Sequence, residues 1–319
     1  MKNSHRCGIL KGMKIRIEEK DGNITVKELL RYRLGLSGSL IKELKKADDG
    51  IVLNGKRVTV REPLKVGDEL ELALERELDA ESSVIPQKGD CEIVYEDGGV
   101  IAFAKPSGMP THPSRGHLTD TLANAAAYIF AERGVPFTFR AISRLDNDVS
   151  GIVLCAANKL CAKRMSDEMS ARRIDKTYLA LCDGAPLPAG SAGTLEGYIR
   201  RCGTSIITRE MCGEGEGAYA RTDYRVIAEN GKKTLMEVKP ITGRTHQIRL
   251  AMQALGCPIS GDGFYGSEDT APRCMLHALK IDFTHPLTNE QTVLSAPIFP
   301  DMKALIKENF GDIRYGSDK

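Results

Sequence analysis

The apolar run Ile152-Val153-Leu154-Cys155-Ala156-Ala157 is short, β-branched at its start and followed by a helical pattern over Asn158 to Arg173. That combination predicts a buried strand feeding a helix. Directly ahead lies Ser143-Arg144-Leu145-Asp146-Asn147-Asp148-Val149-Ser150-Gly151, a charged turn passing into small residues. Upstream, Cys91 to Asp97 and Val100 to Ala104 flank Gly98-Gly99 as a β-hairpin. Lys105-Pro106-Ser107-Gly108-Met109-Pro110-Thr111-His112-Pro113 follows, and its prolines and glycine forbid regular structure, so it is a shaped loop. Leu122, Ala125, Ala126, Ile129 and Phe130 then fall on one helical face that ends at Gly134. Downstream, Asp175 to Leu181 alternates as a strand, and Tyr219 to Val238 forms two strands joined near Asn230-Gly231. A helix capped by Thr245 runs on to Gly256.

The N-terminal pattern differs. Ile15 and Ile17 open a strand, and Thr25 with Glu28 has capping-box spacing for a helix start. Ser39 to Lys46 alternates apolar residues with lysines at helical spacing. Ile51-Val52-Leu53, the turn Asn54-Gly55 and Lys56-Arg57-Val58 read as a hairpin, followed by a turn and strand over Leu64 to Leu70. Residues 76–90 are polar and aperiodic, a linker. The expected organisation is a disordered extension over 1–13, a small unit over 14–75, that linker, a large domain over 91–305 and a tail over 306–319. Many strands with a few helices indicate an α+β fold with an antiparallel-rich sheet.

Composition narrows the function classes. The 319-residue chain has a formal net charge of +2, so any nucleic-acid surface is a local patch and not a global excess. Its nine cysteines are scattered without Cys-x-x-Cys or zinc spacing, and Cys155, Cys182 and Cys257 sit among apolar neighbours. A soluble cytoplasmic protein is expected: no apolar run approaches membrane-spanning length, and the N-terminus lacks an apolar signal core.

Asp146 and Arg144 ahead of a core strand would stand at a cleft mouth on a rigid support, although Arg-Leu-Asp taken alone favours an ion pair that pins a loop. A second charged segment, Gly243-Arg244-Thr245-His246-Gln247-Ile248-Arg249, enters the last helix. Together these segments resemble the RluA-type RNA pseudouridine synthases, whose first motif is His-Arg-Leu-Asp-x-x-Thr-Ser-Gly. Arg144, Leu145, Asp146, Ser150 and Gly151 match, while Ser143 replaces the usual His and Val149 the usual Thr. The second motif matches throughout. Tyr178 stands 32 positions beyond Asp146, the usual separation in that family, and Gly261-Asp262 with Tyr265-Gly266 resembles its following loop.

The resemblance implies a large, bent, mixed but mainly antiparallel sheet with flanking helices. It implies Asp146 as the essential carboxylate, attacking C1′ of a flipped uridine or removing its C2′ proton. Arg249 would be its cationic partner, with Arg244 as the alternative. Tyr178 would stack on the base and relay a proton, and Arg144 would fill the gap left in the RNA. Lys105 and His112 are candidate RNA contacts. No cofactor and no metal is implied, RNA is the partner, and a monomer is the family's default.

The small unit resembles the ribosomal-protein S-four-type RNA-binding domain. Its candidate RNA face is Arg31, Arg33, Lys42, Lys45, Lys46, Lys56 and Arg57. Large-subunit ribosomal RNA is then the implied substrate. Two other readings stand beside this one. A non-catalytic RNA-binding or ribosome-assembly factor is motivated by Ser143 and Val149. A glycosidase would need a second acid near Asp146, for which Asp148 is the nearest in sequence.

Overall fold

The computed structural model describes residues 13–21, 23–36, 38–73, 84–203, 205, 207–266 and 268–313. Residues 1–12 of the extension expected over 1–13, most of the linker and the last residues of the chain lie outside them, while Met13 belongs to the first strand.

The small unit opens with β1 (Met13–Arg16). Thr25 caps α1 (Val26–Glu28): its hydroxyl accepts from the Glu28 amide, and the Glu28 carboxylate accepts from the Thr25 amide at 2.8 Å. The chain continues through a π-helical stretch, Leu29–Arg33, into α2 (Gly38–Lys46). Then come β2 (Ile51–Leu53), β3 (Lys56–Arg57) and β4 (Glu69–Leu72). Asn54 and Gly55 both have positive φ, 50° and 77°, the turn that matches the twist of a two-residue hairpin. The strands form an antiparallel sheet ordered β1-β4-β2-β3. Val26, Leu29, Leu30, Ile41 and Leu44 bury one face of the helices against its Leu53, Leu70 and Leu72.

The large unit begins with β5 (Glu92–Glu96), β6 (Val100–Lys105) and α3 (Leu122–Glu132). Next are β7 (Ser150–Ala156), α4 (Lys159–Ser170) and β8 (Asp175–Asp183). β9 (Ala192–Arg201), β10 (Arg209–Cys212), β11 (Ala218–Glu229) and β12 (Lys233–Pro240) follow. α5 (Gln247–Ala254), β13 (Leu276–Thr284), β14 (Gln291–Ser295) and α6 (Pro300–Phe310) complete it. Ten strands form one sheet ordered β10-β9-β11-β12-β8-β13-β7-β6-β5, with β14 also on β13. β7–β13 is its one parallel pairing among the described strands; the others are antiparallel. Irregularities in β5, β11 and β13 interrupt the ladder and bend the sheet.

β7 is buried along its whole length, as its unbroken apolar run requires. Its parallel contact with β13 fixes Gly151. That residue has φ +125°, and a Cβ there would lie 2.3 Å from the Ala278 carbonyl oxygen, so only glycine fits.

Two expectations about boundaries and capping change. α6 crosses residue 305 and buries Met302 and Ile306 in the large core, so the ordered unit runs past the end expected for it. Thr245 does not cap α5; the cap position is His246, in a left-handed conformation at φ 57° with no side-chain capping bond. The two cores meet at α4. Leu160 joins the small unit's apolar cluster, and Arg164 Nη2 donates to the Leu34 carbonyl at 2.9 Å.

Candidate active site

Asp146 sits on the loop before β7, and that loop is held from both sides. Thr111 clamps Leu145: its hydroxyl donates to the Leu145 carbonyl at 2.8 Å and accepts from the Leu145 amide at 3.1 Å. Ser107 Oγ donates to the Asp148 carbonyl at 2.8 Å, and the Gly108 amide to the Asn147 carbonyl at the same distance. Lys105 is fully buried, with Nζ donating to the carbonyls of Pro106 (2.8 Å), Met109 (2.6 Å) and Asn147 (3.2 Å). Burial draws this amine down to about 7, against the pull of Asp148 and Asp146. Three acceptors around one nitrogen match the ammonium form. Lys105 therefore stitches two loops together and is not available to RNA, contrary to expectation. His112 is exposed, edge-on to Phe139.

The motif departures are absorbed by packing. Ser143 is buried and its hydroxyl accepts from the Leu154 amide at 3.0 Å. Val149 is buried in the large core, and its amide donates to the Asp146 carbonyl at 3.2 Å. Neither change leaves the loop unsupported.

β7, β13 and β8 then align the other candidate groups. Gly151 pairs with Ala278 on one side of β13, and Ala278 pairs with Tyr178 on the other. Tyr178 thereby comes beside the loop that carries Asp146, and both line one cavity of about 490 Å³. Tyr178 is buried, and burial together with the nearby Asp146 charge pushes its hydroxyl above the ordinary tyrosine range, so it stays a phenol at neutral pH.

Arg249 is the cation nearest Asp146, but it is shared. Its Nε and Nη2 donate to Asp262 at 2.7 and 2.5 Å, and Nη1 and Nη2 reach Asp148 at 3.0 and 2.9 Å. Asp146 Oδ2 stands 4.0 Å from Nη1. Arg249, the expected partner of Asp146, thus stands in a cluster in which Asp262 takes the bidentate fork. The Asp262 carboxylate also accepts from the amides of Phe264 and Tyr265, at 2.9 and 3.2 Å. Although burial opposes the Arg249 charge, the Asp262 bonds raise its pKa further. Asp148, bonded to Arg249 at 3.0 and 2.9 Å, is not the free acid a glycosidase pair would need. Arg244 lies at the rim, exposed, with Nε donating to the Tyr219 carbonyl at 2.9 Å.

His246 was not singled out from the sequence. Its Nε2 is 3.8 Å from Asp146 Oδ2, its ring stacks on Phe264, and Nδ1 lies 2.8 Å from the Tyr265 hydroxyl. Asp262, Thr111 and Lys105 were equally missed as supports. The motif around His246 and the Gly261-Asp262 and Tyr265-Gly266 dipeptides were visible; their meeting across 13 or more residues was not.

The cavity lining carries Arg144, Arg172, Lys176, Arg244 and Arg249 against Asp146 and Asp175, a positive excess suited to a polyanion. Arg144 is exposed at its mouth. In the small unit, Lys42, Lys45 and Lys46 lie at adjacent turns of α2 and are exposed, as are Lys56 and Arg31. Arg57 instead bonds Asp48 at 2.6 Å, and Arg33 bonds Asp21 at 2.6 Å, which lowers their availability to phosphate.

Residues 99–254 match the RNA pseudouridylate synthase family. The uncharacterized RNA pseudouridine synthase YhcT of Bacillus subtilis is 34% identical over 94% of this chain and 98% of its own length. The ribosomal large subunit pseudouridine synthase D of Xanthomonas campestris is 31% identical over 85% of this chain and 84% of its own. Among solved structures, human RNA pseudouridylate synthase domain containing 1 is similar at TM-score 0.55 and 28% identity, over 71% of this chain and 90% of that one.

Proposed function

The chain belongs to the RluA-type RNA pseudouridine synthases, and from that premise we propose that it isomerises specific uridines of large-subunit ribosomal RNA, with Asp146 as the reacting carboxylate. The observation that carries the reading is the position of Asp146. It is a partly exposed carboxylate in a cavity that also presents a protonated phenol, Tyr178, and more cations than carboxylates.

Isomerisation breaks the N1–C1′ bond, turns the base and joins C5 to C1′. The uridine must first leave the stack, at a cost of about a few kcal/mol. Stacking on Tyr178 would return about 1–3 kcal/mol of that. Arg144, exposed at the mouth, fills the vacated position in the RNA. Asp146 then attacks C1′ as a nucleophile or removes the C2′ proton. After the base has turned and C5–C1′ has formed, the C5 proton must leave; Tyr178 can relay it by giving its own hydroxyl proton to the nearby Asp146 carboxylate, which is free again at that stage.

The substrate class rests on two supports. Relatives named as acting on the ribosomal large subunit match over more than four-fifths of this chain, at 31% and 30% identity. The lysines of α2 and the β2–β3 hairpin give the N-terminal unit, read here as an S-four-type domain, a surface for structured RNA.

The test maps pseudouridines in ribosomal and transfer RNA from cells lacking the gene, complemented with wild type or Asp146→Asn. Loss of particular large-subunit marks, restored by wild type alone, is the expected result. Marks lost only from transfer RNA would overturn the substrate, and restoration by Asp146→Asn would overturn the role of Asp146. A primary isotope effect with C2′-deuterated uridine would identify proton removal; its absence would favour attack at C1′.

A further inference from the structure

Arg249 is largely committed elsewhere. One guanidinium serves Asp262 and Asp148 through bonds of 2.5 to 3.0 Å and leaves Asp146 at 4.0 Å. Three carboxylates share one arginine, so a further donor toward Asp146 would relieve the imbalance. The group in that place is His246, whose Nε2 is 3.8 Å from the same Oδ2.

The hydrogen bonds behind His246 offer one nitrogen a proton donor: among the described residues the Tyr265 hydroxyl has two partners, the Arg209 amide and His246 Nδ1. The Arg209 amide donates to the Tyr265 hydroxyl oxygen at 2.7 Å. Of the two, His246 Nδ1, 2.8 Å away, is the partner able to accept the tyrosine's own proton. With Nδ1 accepting, a neutral imidazole carries its proton on Nε2, the nitrogen that faces Asp146. The ring is fixed by stacking on Phe264, 5.7 Å between centroids and 21° between planes, and by its edge-on contact with Tyr265. The left-handed backbone at His246 directs it out of the helix start.

We infer that His246 is a positioning residue: its Nε2–H, held in that tautomer by Tyr265, orients the Asp146 carboxylate for reaction. The inference rests on the reading of Asp146 as the reacting group. It also gives the strand pair β9–β10 a link to the site, because the Arg209 amide that starts the chain opens β10. The charged groups around the imidazole are Asp146 and Asp148 on one side of the balance and Arg249 and Arg209 on the other. Burial outweighs them and lowers the pKa of His246, which keeps the ring neutral as the tautomer argument requires.

The test begins with the tautomer, read from imidazole nitrogen chemical shifts of the whole chain with labelled histidine, the His246 signal assigned by its loss in His246→Gln. A neutral ring with pyridine-type Nδ1 and pyrrole-type Nε2 at pH 7.5 is expected. A protonated Nδ1, or a charged imidazolium at that pH, overturns the inference without bearing on Asp146. The second arm is kinetic, with an RNA fragment carrying the target uridine. His246→Ala should lower kcat by about 10- to 100-fold, the scale of a misplaced reacting group. KM should change less than kcat, since the loss falls on the orientation of Asp146. His246→Gln should recover part of the loss, because its amide N–H can reach toward the same oxygen. Wild-type kcat in His246→Ala, or Gln no better than Ala, overturns the inference. Asp146→Asn is run beside them: turnover there overturns the Asp146 reading itself, whatever the tautomer of His246.

Discussion

Arg249 grips Asp262 by a two-bond fork, Nε to Oδ2 at 2.7 Å and Nη2 to Oδ1 at 2.5 Å, with both side chains almost wholly buried. Planar fork geometry is what a guanidinium offers and an ammonium does not. The fork fixes the end of the guanidinium that faces Asp148 and Asp146. It couples the loop before β7 to the segment after α5, although Asp148 and Arg249 are 101 positions apart in the chain.

Removing one member of that pair leaves a buried charge without its partner. Asp262→Asn and Arg249→Met should each destabilise the fold by about 3–5 kcal/mol. Urea unfolding followed by circular dichroism checks this. Arg249→Lys keeps the charge but loses the fork, so it should fall between wild type and Arg249→Met.

Asp146 is only partly buried, and its Oδ2 stands 3.8 Å from the His246 imidazole and 4.0 Å from the Arg249 guanidinium. Asp146→Asn should therefore leave the unfolding midpoint near wild type while abolishing turnover. RNA affinity, read by filter binding, should change by less than about threefold, because the variant removes reactivity and not a phosphate contact.

Thr111 satisfies both backbone groups of Leu145, the residue next to Asp146. Thr111→Val is nearly isosteric and removes both bonds. It should cost about 1–3 kcal/mol of stability from the unpaired groups. A drop in kcat with little change in KM should accompany it, measured on single uridine-containing fragments.

His277 gives the stability a pH dependence. It is fully buried, its Nδ1 lies 3.0 Å from Ser150 Oγ, and burial lowers its pKa to about 4 from an ordinary 6.5. The unfolded chain protonates this ring below 6.5 and the folded one only near 4. Its contribution is thus present above pH 6.5 and lost progressively as pH falls toward 4. By pH 5 the loss should be about 2 kcal/mol. His277→Asn should flatten the difference between urea midpoints at pH 7.5 and pH 5.

Lys42, Lys45 and Lys46 form one exposed stripe on α2. Changing all three to Gln should weaken RNA binding and reduce its salt slope by about 2–3, near 0.7–0.9 per lost phosphate contact. Arg57→Gln should do less, since that side chain already bonds Asp48. Affinity measured from low to moderate salt separates the two.

Much was legible in the linear chain because its physical cause is local. The buried run Ile152 to Ala156 declared β7, Thr25 and Glu28 declared a helix start, and Asn54-Gly55 declared a hairpin. The resemblance of two short motifs placed Asp146, Tyr178 and Arg249 on one candidate site, and all three line the same cavity. Tertiary structure alone decided how the charges are divided. Whether Arg249 meets Asp146, Asp148 or Asp262 depends on side-chain reach across separate segments, as does the burial that turns Lys105 from a candidate RNA contact into a loop support. The pairing of Tyr265 with His246 and the clamp of Thr111 on Leu145 are of the same kind. Hydrophobic period and capping act over a few neighbouring residues and are written in order along the chain. Hydrogen-bond partners and desolvation depend on which distant residues the packed sheet brings within about 3 Å, and that distance exists only after folding.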